Sequence, residues 1–499
     1  MKNQKKADIC LILEGTYPYV EGGVSTWTHE LIDTQEDKTF HILSILPREG
    51  EVTHKFSFPP NVVGHTDLRL QNLKKTGIRH ARSLKALEGP LNNLTVGRAH
   101  LNDMQHVMRI LGQFNTRPGE YELLDSEEAW ELMESMYEAS FSESSFLDYF
   151  WSWRAIMGGL YSILLSPLPE AQVYHALSTG YAGLLAARAK LETGRPVMIT
   201  EHGIYTNERR IELASADWLE ENFSRSLTID DTRLSLRDLW MDAFTNYSRI
   251  AYEAADEIIT LFTGNQKAQL ADGATPEKLK VVPNGIDVER FAKIRRTPHE
   301  RPTIALIGRV VPIKDVKGFI RTCAMLKEHL PDLKAYVMGS REEDENYAHE
   351  CEEMVRHFSL EDVVEFTGQV AIDEYLPKID LVVITSISES QPLVILEAGA
   401  CGVPCVATNV GACAEMILGA SDEQPRLGAG GAVVPLSNPA ATAEAVYTLL
   451  TDRDYYKSCA EAIRQRVTLY YSKEQQHIAY DALYSTWMAA QTEAKRAEG

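Results

Sequence analysis

The stretch TIALIGRVVPIKD, residues 303–315, holds in one line an unbroken apolar run, a glycine turn, two cations and the approach to a helix. Thr303 to Ile307 suits a strand buried on both faces, as parallel strands are. Val316 to Lys327 comes next with helical spacing. Outward from there, Lys334 to Met338, Val363 to Phe366, Leu381 to Thr385 and Pro404 to Ala407 read as strands. Glu343 to His357 and Pro392 to Gly399 read as helices, and Pro439 to Ala490 as a mostly helical tail. Strands alternating with helices imply a parallel sheet with right-handed crossovers.

The first half repeats the rhythm. Asp8 to Leu13 is a strand, Gly22-Gly23 a turn and Val24 to Ile32 a helix. Further on, strands Val173–Ala176, Pro196–Thr200 and Glu257–Leu261 alternate with helices Ala182–Leu191 and Leu239–Ala255. Residues 65–150 break the pattern: they are polar and acidic, with a helix over Ser126 to Tyr137, and read as an insertion rather than a third core. Val281 to Asp287, carrying Pro283, Asn284 and Gly285, reads as a hinge. The fold class is therefore α/β, with two Rossmann-like domains and a cleft at the carboxyl ends of their strands, where ligands of open α/β sheets bind.

A chain of 499 residues exceeds what one core usually serves. Its formal charge of -21 argues against broad nucleic-acid binding and against a polybasic membrane patch. It leaves room for an anionic small ligand, since a few cations dominate in a partly desolvated cleft. Ile9 to Leu13 is too short for a signal-peptide core, and no apolar run reaches the length of a membrane span. Seven scattered cysteines fit a reducing compartment. Cys401, Cys405 and Cys413 lack metal-ligand spacing and a nearby histidine, so buried small residues are the expectation.

Two motifs carry chemistry. Arg309 and Lys314 emerge between a strand and a helix start, where guanidinium, ammonium and free helix amides can clamp a diphosphate. Two solvated cations on a loop is the equal alternative. The second motif runs Glu389-Ser390-Gln391-Pro392-Leu393 and on to Glu397. From Pro392 to Glu397 a helix rises roughly 7.5 Å. The two carboxylates then stand too far apart for a retaining glycosidase pair, which needs about 5 Å, and suit two parts of one elongated ligand. Glu397 on an apolar helix wants a hydroxyl-rich ligand or, alternatively, a structural cation.

Glu-x7-Glu leading into Ala-Gly-Ala-Cys-Gly-Val-Pro, downstream of Gly-Arg-x4-Lys-Asp, resembles the retaining glycosyltransferases of family GT4, whose fold is GT-B. Gly22-Gly23, His202 and Pro283 to Asp287 extend the resemblance over nearly the whole chain. Glu14 to Ser25 and Glu201 to Tyr205 resemble more narrowly the PelF branch, the cytosolic glycosyltransferases of bacterial Pel exopolysaccharide systems. The resemblance implies an N-terminal acceptor-side domain, 1–285, with a largely helical insertion near 65–150 and joined by the C-terminal helix 473–499. It implies a donor domain over 286–472. It assigns Arg309 and Lys314 to the donor diphosphate, Glu389 to the donor sugar and Glu397 to the ribose. Gly22 and Gly23 would admit backbone amides to the phosphates, and His202 would lie near the transferred sugar, a core histidine being its alternative. The run Ser390-Gln391-Pro392-Leu393 would present its available backbone amides to the sugar or β-phosphate at the helix start, and Glu14 and Tyr17 would face the acceptor. Ser390-Gln391 replaces the Gly-Phe or Gly-Leu of many relatives, which leaves the donor sugar open.

The activity implied by the resemblance is metal-independent, front-face transfer of a hexose or N-acetylhexosamine from a UDP-sugar to a growing polysaccharide. No cofactor is implied beyond the donor substrate. A cytoplasmic chain recruited to the inner membrane by membrane-bound Pel synthase components is the expected setting, with no nucleic-acid partner and no membrane span of its own. A sugar-nucleotide epimerase of the same fold and a non-catalytic nucleotide-sugar-binding subunit are the rival readings. A nicotinamide dehydrogenase is disfavoured, because the first turn lacks a compact Gly-x-Gly-x-x-Gly.

Overall fold

The computed structural model describes residues 6–48, 50, 52–73, 84–114, 117–214, 235–297 and 301–498. By internal contacts the chain divides into two units. The first comprises 1–260, 266–280 and 480–499, and the second 261–265 and 281–479. The expected boundaries lay at 285/286 and 472/473. The observed ones fall where β7 ends and a turn or two inside the last helix, Lys473–Glu498.

Unit 1 holds a seven-stranded sheet of order β3-β2-β1-β4-β5-β6-β7. The strands are β1 (Ala7–Glu14), β2 (Phe40–Leu46), β3 (Val62–Arg69), β4 (Ala171–Ala176), β5 (Val197–Glu201), β6 (Glu257–Thr260) and β7 (Leu279–Val281). β1 pairs in parallel with both β2 and β4. The sequence pattern does not reveal β2 and β3. His41 and Ser44 interrupt the apolar run of β2, and β3 is a half-exposed edge strand with little alternation. The crossover from edge strand β3 back to central β4 is the expected insertion. Residues 74–83 of it lie outside the described residues. Its helices Glu88–Thr95, Leu101–Gly112, Glu127–Ser140 and Phe146–Leu165 add no separate core. Leu91, Met104, Met133 and Trp153 pack in the same buried cluster as Ile12 of β1 and Tyr174 of β4.

Unit 2 holds a six-stranded sheet of order β10-β9-β8-β11-β12-β13. The strands are β8 (Thr303–Ile307), β9 (Lys334–Met338), β10 (Val364–Gly368), β11 (Leu381–Ile384), β12 (Cys405–Thr408) and β13 (Gly431–Val434). The alternation along β8 sends Ile304 and Leu306 into one core and Ala305 into the other. Both faces are covered, which is why the run is apolar without a break. Cys401, Cys405 and Cys413 are free thiols, the last two buried. Among the described residues no His, Cys, Asp and Glu group suits a metal ion, and no helix is long and apolar enough to cross a membrane.

In both sheets the chain winds from a central strand to one edge, then returns to the other side of that strand. The switch points lie between β1 and β4 in unit 1, and between β8 and β11 in unit 2. Adjacent loops diverge at a switch point and leave a crevice at the carboxyl ends of the strands.

Candidate functional site

The unit 2 switch point brings Lys314 and Glu389 together across 75 residues of sequence. The Lys314 ammonium donates to Glu389 Oε1 at 2.5 Å, and Ser386 Oγ donates to the same oxygen at 2.6 Å. Both charged side chains are mostly buried, 22% and 12% exposed. The loops that carry them are stapled to each other. Thr385 Oγ1 donates to the carbonyls of Lys314 and Asp315, both at 2.9 Å, and the Ile387 amide donates to the Ile313 carbonyl. On the other side Thr408 Oγ1 donates to the Ser386 carbonyl at 2.6 Å, and the Ala412 amide to the Ser390 carbonyl. Gly411 makes this approach possible. Its φ of 51° is left-handed, and a Cβ there would meet the Glu389 carbonyl oxygen at 2.2 Å.

Two expectations change here. The helix start beside Lys314 does not offer all its amides, because Asp315 caps helix Val316–Lys327 and takes the Gly318 amide at 3.0 Å. The helix start that lacks a side-chain cap is Leu393–Ala400, with Pro392 as its N-cap rather than inside its first turn. It follows directly on the loop 389–391, and a helix start carries free amides and the positive end of the macrodipole. Gln391 was expected to serve the donor. The expected role is that of its backbone; its side chain clamps the turn at Asn284, accepting from the Asn284 amide at 2.8 Å and donating to the Asn284 carbonyl at 3.2 Å.

Arg309 has a different partner from Lys314. Its side chain is largely exposed and forms an ion pair with Glu343. Glu397 has different neighbours from Glu389. Burial pushes its carboxyl above the ordinary range; Arg290 and Lys473 draw it down and Asp373 adds to the rise. Arg290 itself forks onto Asp373 at 2.7 and 3.1 Å. Sequence reasoning missed Ser386, Arg290, Asp373 and Lys473. Only Ser386, three residues from Glu389, carried a local signal.

In unit 1 the switch point gathers Glu14, Tyr205 and the N-terminus of helix Tyr181–Thr193. Glu14 accepts from the Tyr181 amide at 2.9 Å and the Tyr205 hydroxyl at 3.0 Å. Burial raises its pKa, with Arg209 the main opposing charge. Gly22 caps helix Gly23–Thr34 without a side-chain bond, and a Cβ at Gly22 or Gly23 would meet nothing within 4 Å. Packing therefore does not demand glycine there. His202 packs against that helix, its ring edge-on to Trp27 at 4.6 Å. Burial pushes its pKa down to about 4, so the imidazole is neutral near pH 7. Glu201 beside it is a structural anchor, bonded by Tyr252 at 2.6 Å and Gln269 at 2.8 Å. Tyr17 is buried, its hydroxyl 3.1 Å from His29.

Two Rossmann-like units of this strand order define a GT-B protein. Solved structures share the fold: HepE of Anabaena in complex with UDP, TM-score 0.57 at 15% identity over 96% of this chain and 100% of that one. Sucrose-phosphate synthase from Thermosynechococcus elongatus is another, TM-score 0.56 at 15% identity over 96% and 99%.

Residues 7–277, more than half of the chain, match the family described as Domain of unknown function (DUF3492), and the chain belongs to it. Residues 287–466 match Glycosyl transferases group 1. Similar curated proteins include a D-inositol 3-phosphate glycosyltransferase of Kineococcus radiotolerans, 32% identical over 40% of this chain and 50% of that protein. Another is the MMP alpha-(1->4)-mannosyltransferase of Mycolicibacterium hassiacum, 26% identical over 45% and 51%. The chain spans about half the length of these relatives.

Proposed function

We propose that this chain is a retaining hexosyltransferase that moves a hexose or N-acetylhexosamine from a UDP-sugar to a growing exopolysaccharide of the Pel type. The observation that carries the donor half is the Lys314–Glu389 pair at the unit 2 switch point, beside the uncapped helix start at Leu393. The match of 287–466 to Glycosyl transferases group 1 supports it, as do relatives named as glycosyltransferases. The fold is shared with a protein solved with UDP.

In this reading the diphosphate displaces the Glu389 carboxylate as a partner of Lys314 and gains the amides of Leu393 and Val394. Arg309 leaves Glu343 for the outer phosphate. Glu389, released, accepts hydroxyl protons of the sugar, and Glu397 does the same for the ribose. The leaving diphosphate gains negative charge as the glycosidic bond breaks, and preorganised cations and amides stabilise that charge without a metal ion. The acceptor hydroxyl attacks from the face the diphosphate leaves, and its proton passes to a leaving-group oxygen. Neutral His202 serves as a hydrogen-bond partner of the sugar rather than a cation. Recruitment by membrane-bound Pel synthase components belongs to the same proposal and rests on the sequence resemblance.

The test is a thermal-shift panel of UDP-sugars, then UDP release with and without acceptor in the presence of a chelator. One preferred donor should raise Tm through mass action. Arg309→Ala should lower turnover about a hundredfold, as loss of a transition-state donor does, with Tm unchanged. No shift with any UDP compound would sink the proposal. An epimerised nucleotide sugar formed from donor alone would replace it with the epimerase reading.

A further inference from the structure

The start of the helix Phe146–Leu165 carries large apolar side chains on its outer face as well as on its core face. Tyr149, Trp153 and Ile156 take the core. On the opposite side Phe146, Leu147 and Trp151 are exposed at 37%, 62% and 59%. Phe146 and Phe150, like Leu147 and Trp151, are four residues apart and so share a face. Trp130 of the preceding helix, 46% exposed, closes the patch with ring centroids 5.7 Å from Phe146 and 6.1 Å from Phe150. Large apolar side chains on the outer face of a surface helix depart from the usual amphipathic pattern, and contiguous patches of this kind mark interaction surfaces.

The stretch that carries the patch is acidic, and Arg154, one turn beyond Phe150, is already paired with Asp125 and Glu120. Between Tyr121 and Trp153 the sequence carries acidic residues and no lysine or arginine. Glu127, Glu131, Glu134, Glu138, Glu143 and Asp148 are exposed. We infer that the face of Trp130, Phe146, Leu147, Phe150 and Trp151 docks a basic amphipathic helix of a partner protein, with its apolar stripe on the aromatic patch and its lysines and arginines on the acidic rim. Charge complementarity selects this occupant. An anionic lipid surface would be repelled by the rim. A symmetric contact with a second copy would set acidic rim against acidic rim. The rings are tilted at 60° and 45° to one another, so they offer no flat platform for a sugar chain. A helix laid beside the helical pair is the helix-in-groove mode, read by apolar anchors at helical spacing. The inference does not depend on glycosyl transfer.

The test uses the full chain and a synthetic Leu/Lys amphipathic helix of about five turns as probe, long enough to hold its shape, with a Leu/Glu peptide of the same pattern as control. Binding is followed by calorimetry. The Leu/Lys peptide should bind and weaken with salt; the Leu/Glu peptide should not bind. Because the whole chain is acidic, the decisive variants are Leu147→Ser and Trp151→Ser, since neither changes the charge and each removes an apolar anchor. Both positions are exposed, so Tm should hold while affinity falls about thirtyfold or more, as at interface hot spots. Glu131→Lys with Glu134→Lys should weaken binding with the apolar anchors intact. Equal binding of the peptide by the Leu147→Ser and Trp151→Ser variants would overturn the inference. Preferential binding of phosphatidylglycerol vesicles, or of a polysaccharide, through the same residues would overturn it as well. So would a dimer abolished by Trp151→Ser.

Discussion

Replacing Glu389 by Gln separates the two roles this side chain is given. Lys314 holds the Glu389 carboxylate at 2.5 Å in the resting protein. An anion seated on the far side of the ammonium would stand about 5–6 Å from that carboxylate. At an effective dielectric of about 20, repulsion over that distance is about 3 kcal/mol per unit charge. Salt and partial solvent access reduce it, leaving about 1–2 kcal/mol, or about five- to thirtyfold in affinity. Glu389→Gln should therefore bind UDP more tightly by that factor, while sugar transfer falls about a hundredfold because the sugar loses a charged acceptor. Lys314→Met should do the opposite to binding, weakening UDP about ten- to hundredfold through lost charge-assisted hydrogen bonds. Calorimetry with UDP at two salt concentrations measures both, and Tm without ligand monitors the fold. If Glu389→Gln binds UDP no better than the parent, or Lys314→Met binds it equally well, the diphosphate does not sit on Lys314.

The two glycine sites should behave oppositely. Gly411→Ala puts a Cβ on the Glu389 carbonyl in a left-handed conformation and should cost about 2–4 kcal/mol in urea unfolding. Gly22→Ala meets open space and should leave unfolding within about 0.5 kcal/mol, yet weaken UDP-sugar binding; a destabilised Gly22→Ala would make that glycine structural. Glu397→Gln removes a desolvated charge, so Tm should hold or rise while affinity for UDP falls about tenfold, and unchanged affinity would detach Glu397 from the ribose. His202 titrates at about 4 in the folded chain against 6.5 in the unfolded one. The unfolded state therefore binds more protons through that window, so the contribution of His202 is full above pH 6.5 and lost as pH falls toward 4. His202→Phe should flatten the acid side of a urea-stability profile by about one proton or less, and an unaltered slope would mean the ring is not desolvated.

Strand and helix periodicity along 303–407 is readable because burial on both faces of a parallel sheet leaves a local signature: an apolar run without a break, then helical spacing. Edge and short strands leave none, which is why β3 and β13 stayed silent, while in β2 the buried polar His41 and Ser44 break the apolar run. The residue types of the site are readable too, since Arg309, Lys314 and Glu389 stand on loops that follow apolar strands and Glu397 is a lone charge within an apolar helix. Their pairing is not. Lys314 meets Glu389, and Arg309 meets Glu343, because strand order sets β11 beside β8 and β9 on the other side. Likewise Gln391 is legible as a polar residue at a helix start, while its commitment to the Asn284 turn depends on a contact across 107 residues. Local sequence determined which segments are buried, where helices begin and which chemistry stands at the mouths of the loops. Only the tertiary structure decided which loops meet. Each long-range hydrogen bond in the cluster joins residues whose separation along the chain carries no periodic signal and whose proximity is a property of sheet topology.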